Sequence, residues 1–169
     1  MDTIALDYLL KLAAISIAFV GFATIVVTLR RGLGGELAPF HVLLVRIYIE
    51  TGLVVAVGAV LPSLLNLFGL PITATWRISS AVVGVVAPAF LVVYIARRRR
   101  IDRSRVPSRV YVRYAISALA VVALWLNVAG VPLQTSGAPY ALALTWFLFS
   151  AGLIFVQTLD EVLNSKRKA

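Results

Sequence analysis

The stretch from Pro39 to Gly69, 31 residues of mostly apolar character with Arg46 and Glu50 inside it, limits this chain more than any other feature. As a helix rising ~1.5 Å per residue it would extend roughly 45 Å, well past the ~30 Å hydrocarbon core of a bilayer. The rest of the chain agrees: 61% of the residues are hydrophobic and 14% charged, with a mean hydropathy of +0.97. A soluble domain is nearer ~45–50% apolar and ~25% charged. A polytopic membrane protein is therefore expected, with a single transmembrane domain over residues 1–169.

Arg46 and Glu50 are four residues apart and share a helix face, so they can pair within one helix. Ionised groups in hydrocarbon are costly and usually pair or face a protein interior or an aqueous cavity. If the membrane begins near Leu43, Glu50 lies about a third of the way in; if it begins near Thr51, both charges are interfacial and can snorkel. The same helix carries a small-residue stripe, Gly52, Ala56, Ala59, Ser63 and Asn66, nearly opposite Arg46, Glu50, Leu53 and Val57. Small residues let helices approach closely in lipid. This helix is thus expected to pack on one side, present charge on the other, and hold a central or interfacial place.

Four further apolar runs accompany it. Leu12 to Leu29 follows Asp2 and Asp7 and precedes Arg30 and Arg31, the reverse of a signal peptide's charge order, so it reads as a retained first transmembrane helix. Ala14, Ala18, Gly21 and Thr28 form a stripe on it suited to helix packing, and Asp7 is spaced to pair with Lys11. Gly69 to Arg77 reads as a connector with Trp76 as an interfacial aromatic. A third helix carries Ser80, Gly84 and Ala87 on one face, and a fourth carries Arg113, Ser117, Leu124 and Asn127, with Val110, Tyr111 and Tyr114 as an interfacial anchor. Pro62 and Pro88 are expected to kink their helices, or in the case of Pro62 to end one.

The fifth run, Tyr140 to Val156, has only 17 residues, near the lower limit for a span, which leaves a four-helix alternative. Charge favours five. With five helices, Arg30 and Arg31, the eight arginines between Arg97 and Arg113, and the Lys166 to Lys168 tail share one side, thirteen of the sixteen basic residues. Such an excess marks the cytoplasmic face. The expected fold class is all-α, a bundle of five transmembrane helices at about 9–29, 40–68, 78–96, 110–131 and 140–158, with the N-terminus out and the C-terminus in. A bacterial cytoplasmic (inner) membrane is the expected location.

Little in the sequence supports catalysis. There is no cysteine and one histidine, His41, which leaves neither a thiolate site nor bis-histidine haem ligation within one chain. The acids other than Glu50 sit at helix ends or in connectors, and GLGGE, Gly32 to Glu36, lacks the strand, lysine and spacing of a P-loop. No enzyme activity, metal or cofactor is expected. The arginine cluster follows from the positive-inside pattern, and Arg97, Arg98, Arg99, Arg100, Arg103 and Arg105 are candidates for anionic lipid headgroups. Nucleic acid is not expected, because aromatics are not interleaved with the arginines. Ser16, Thr24, Ser80, Ser117 and Thr145 can bond back to their own helices, whereas Asn127 would link helices.

The leading expectation is an oligomeric channel or small transport protein with a pore or site lined by the second helix, using Glu50, Arg46 and Asn127. The Leu53, Val57, Leu61 and Leu64 continuation of the charged face reads either as a hydrophobic gate or as a lipid-facing surface. The alternative function is a non-catalytic anchor or regulatory subunit that binds a partner membrane protein and anionic lipid. Expected partners are membrane lipids and further copies of the chain.

Overall fold

A computed structural model describes residues 2–32, 39–101, 108–131 and 135–165. It contains five α-helices: α1 (Asp2–Gly32), α2 (Pro39–Leu67), α3 (Ile72–Ile101), α4 (Ser108–Ala129) and α5 (Gly137–Ser165). Among the described residues there is no strand. All five are long and apolar enough to cross a membrane. The four-helix alternative falls because the apolar stretch of α5 runs from Gly137 to Leu159 and not merely from Tyr140.

The exterior is itself the mark of a membrane protein. Ile17, Phe22, Val57, Val92, Leu119 and Leu142 are all more than half exposed. In water such a surface would be an aggregation hazard, whereas lipid tails solvate it.

Local chemistry sets the helix ends. Gly69 has φ 77° and Gly130 φ 73°, conformations that cost glycine little. After α2, Gly69 N–H donates to the Asn66 carbonyl at 3.0 Å and Leu70 N–H to that of Leu65 at 3.4 Å, a Schellman ending. Val131 N–H donates to the Leu126 carbonyl at 3.2 Å in the same way after α4. The α2–α3 turn is so tight that α3 starts at Ile72, six residues before the expected position, and the Thr75 N–H already donates to the Pro71 carbonyl at 2.9 Å. Trp76 consequently lies within a helix. It is fully buried against Tyr140, with ring centroids 6.1 Å apart, instead of facing a membrane boundary.

Neither internal proline ends its helix. Pro62 has no N–H to give the Gly58 carbonyl, which is left without its helical partner. The Tyr140 hydroxyl of α5 donates to that carbonyl at 2.6 Å. One helix thus repairs a bond that another lacks.

α2 packs against α1, α3 and α5, and α5 against α1, α2 and α4, so α2 and α5 form the middle of the bundle. α2, α3, α4 and α5 make a ring with slight contact across its diagonals, and α1 lies outside it. The stripe on α2 packs: Gly52 faces Val20 and Phe19 of α1 so closely that a Cβ would lie 2.5 Å from Val20 Cγ2. Ala56 and Ala59 are buried, while Asn66, Leu53, Val57 and Leu64 are exposed. Gly84 of α3 packs on Trp125.

The stripe on α1 does the opposite of what its composition suggests. Ala14, Ala18, Gly21 and Thr28 face outward, and nothing lies within 4 Å of a Cβ built on Gly21. α1 instead packs through Leu9, Leu12, Ser16 and Ala23, because the close approach it needs is supplied by Gly52 of α2.

At one end of the bundle, Phe19 of α1, Tyr48 of α2 and Phe155 of α5 meet edge to face, with centroids 5.2 to 6.2 Å apart. At the other, Leu9, Trp76, Leu124 and Tyr140 share a core. The C-terminal ends of α1, α3 and α5 therefore lie with the N-terminal ends of α2 and α4. The helix ends beside all three basic segments share one face.

Candidate functional site

Arg46 and Glu50 form their expected ion pair one turn apart on α2. The sequence did not identify a second partner: Arg97 Nη1 of α3 lies 3.6 Å from Glu50 Oε2. Glu50 is the least exposed of the three, its side chain 28% accessible against 59% for Arg46 and 39% for Arg97. A carboxylate held between two guanidiniums is neutralised locally and fastens α2 to α3.

The headgroup candidates divide. Arg97 is engaged with Glu50. Arg98 is 8% exposed, its guanidinium 5.9 Å from the centre of the Phe40 ring, within the ~6 Å range of cation–π attraction. Arg99 is exposed. Arg100 falls in the last turn of α3, and Arg103 and Arg105 lie outside the described residues. His41 falls in the first turn of α2.

Asn127 is 5% exposed and fully engaged. Its Nδ2 donates to Ser80 Oγ at 2.9 Å and to the Ser136 carbonyl at 3.0 Å, and its Oδ1 accepts from the Ser136 N–H at 3.0 Å. It clasps α3, α4 and the start of α5. Ser80 and Arg97 are seventeen residues apart on α3, about 25 Å of helix. Asn127 and Glu50 therefore belong to opposite ends of the bundle and form no common site.

The structure opens a space that periodicity does not reveal. The four-helix ring borders a half-open cavity of about 380 Å³ in its arginine-rich half, within the usual size range of small-molecule pockets. α2 contributes Ile47, Thr51, Val54 and Val55 to its wall, α3 Pro88, Leu91 and Tyr94, α4 Arg113 to Val122, and α5 Phe147, Ser150 and Ile154. The wall is almost wholly apolar. Among the described residues no acid lines it, and Arg113 is its one charged group.

Arg113 Nη2 donates to Gln157 Oε1 of α5 at 3.1 Å, while its buried Nε has no hydrogen-bond partner in the protein. Tyr94 and Tyr114 line the cavity with it. Trp146 Nε1 donates to Ser117 Oγ at 3.1 Å and ties α5 to α4 along the same wall. Arg113 sits on the inward face of α4 that its spacing from Ser117 and Leu124 marks, so its position was legible although its separation from the arginine cluster was not.

Elsewhere most of the hydrogen bonds are local. Ser16, Thr24, Thr145 and Thr158 donate to carbonyls four residues back at 2.7 to 2.8 Å, Lys11 pairs with Asp7 at 2.7 Å, and the Tyr8 hydroxyl of α1 meets Thr145 Oγ1 of α5 at 2.7 Å. Among the described residues no three of His, Cys, Asp and Glu come together as a metal site. Compared with protein-family models, with curated proteins and with solved structures, the chain shows no match.

Proposed function

We propose that this chain is a small membrane transport protein, not an enzyme, and that its working site is the cavity inside a single five-helix bundle, walled on one side by α2. The observation that carries this reading is the cavity of about 380 Å³ lined by α2, α3, α4 and α5, with a single cation at one end. A space of that size in a bundle with such short connectors costs packing contacts, and a bound solute would restore them. Glu50, tied to Arg46 and Arg97, argues for a path within the bundle over an axial ring of free carboxylates. The arginine-rich face is the cytoplasmic one in this reading, with the N-terminus outside, in a bacterial cytoplasmic membrane. Exposed Arg99 meets anionic headgroups there, and nucleic acid is not a partner.

Flux tests it. In proteoliposomes given a panel of membrane-impermeant organic anions and cations, the reading predicts saturable uptake of one class. Filling the cavity with Val54→Trp would abolish that uptake while helix content is retained. Absence of uptake for every class would contradict it.

A second reading, an anchoring or regulatory subunit, is favoured by one observation, the outward small-residue face of α1 around Gly21. That face would receive a helix of a partner protein or of a second copy. A stoichiometric partner retained through purification from the native membrane supports this alternative, and a clean homo-oligomer supports self-association with the transport reading intact.

A further inference from the structure

We infer that the cavity binds a single-chain amphipathic anion, with a sulfonate-, phosphate- or carboxylate-type head on Arg113 and an apolar tail along α2 and α4. This deepens the transport reading and rests on taking the cavity as the working site. Three features point the same way. First, the cation is placed at the cavity: Arg113, held by Gln157 through Nη2, is the one charged group on its wall. Oxyanions are the acceptors that match a guanidinium edge. Second, charge is one-signed, since among the described residues the cavity wall has one arginine and no acid. The Glu50 carboxylate of α2 is already committed to Arg46 and Arg97.

Third, polarity is graded along the cavity. Tyr94, Arg113 and Tyr114 lie toward the basic face, and Val54, Ala87 and Val122 toward the middle of the membrane. Val122 is fourteen residues into α4, about 20 Å from its start. A ligand with its head at Arg113 would therefore lay its tail inward. The cavity's volume of about 380 Å³ is of the size that takes a small single-chain ligand.

The test is binding of octyl sulfonate, which stays ionised at every working pH, to the protein in zwitterionic phosphatidylcholine nanodiscs, read by quenching or shift of tryptophan fluorescence. Saturable binding is expected. Methanesulfonate, the head without the tail, and octyltrimethylammonium, the tail with a cation, should bind at least about tenfold more weakly. Arg113→Gln should weaken octyl sulfonate binding by about ten- to a hundredfold, the loss of one charge-assisted hydrogen bond. Arg113→Lys should recover part of it. Ala118→Phe, which fills the cavity and keeps the arginine, should weaken binding to a similar degree, so the inference remains testable if Arg113→Gln does not fold.

Equal binding of the cationic analogue, or binding untouched by both Arg113→Gln and Ala118→Phe, would overturn the inference. So would displacement of octyl sulfonate when a two-chain anionic phospholipid is added to the nanodisc, which would make a bilayer lipid the occupant. Binding without flux leaves this inference standing and sinks the transport reading. Flux that survives Arg113→Gln does the reverse.

Discussion

Tyr140 is the residue whose job is most cleanly defined by another residue's defect. Pro62 takes an N–H away from the Gly58 carbonyl, and the Tyr140 hydroxyl supplies a donor at 2.6 Å. Tyr140→Phe should cost about 1–2 kcal/mol, because a buried carbonyl loses its partner. Pro62→Ala returns a helical donor, so the penalty for Tyr140→Phe should shrink in that background. A double-mutant cycle in detergent unfolding would show it, and a penalty that is unchanged would mean the two sites are not coupled. The proline's effect was readable from four-residue spacing, while its remedy was not, since Tyr140 comes 82 positions later. Asn127 was readable in kind for the same reason: an amide that its own helix cannot satisfy must link helices, but which ones depends on the fold.

At the scale of elements, the ion cluster and the glycines decide how helices meet. Glu50→Gln leaves Arg46 and Arg97 facing each other without the carboxylate between them. It should destabilise the α2–α3 contact by about 1–2 kcal/mol, between the values for exposed and buried pairs. Arg97→Gln added to it should cost less than it does alone, and additive costs in thermal unfolding would count against the cluster. Gly52→Val should destabilise by about 2 kcal/mol or more, because its side chain would enter the space of Val20. Gly21→Val should stay within about 0.5 kcal/mol of the parent in monomer stability, since open space surrounds it. A fall in oligomer mass on Gly21→Val would place a neighbouring chain on that face.

These two glycines show where sequence pattern stops. Both belong to small-residue stripes of the kind that packs in lipid, and one packs inward while the other faces out. Periodicity identifies the faces of a helix but not which neighbour takes each. Arg97 makes the same point: within a run of arginines it is indistinguishable from Arg99, and only the register of α3 against α2 separates an ion-pair partner from an exposed cation.

For the whole molecule, hydropathy and charge carried most of the architecture. Five spans were legible because each is a separate apolar run, and the sharing of one face by the basic segments follows from alternation of an odd number of helices. The cavity was not legible. It arises from how four helices fail to meet across their diagonals, which no single helix records. The central claim is that this cavity, with Thr51 of α2 on its wall, is a solute site inside one bundle.

The chain has no cysteine, so single thiols can be introduced against a silent background. The most direct measurement is reaction of Thr51→Cys and Val57→Cys, in oriented membranes, with a small anionic thiosulfonate reagent. The account predicts that Thr51→Cys reacts from the arginine-rich face and is protected by octyl sulfonate, while Val57→Cys, 71% exposed on the outer surface of the bundle, stays unreactive in lipid. Silence at Thr51→Cys from both faces, or equal reaction at both positions without protection, would contradict it.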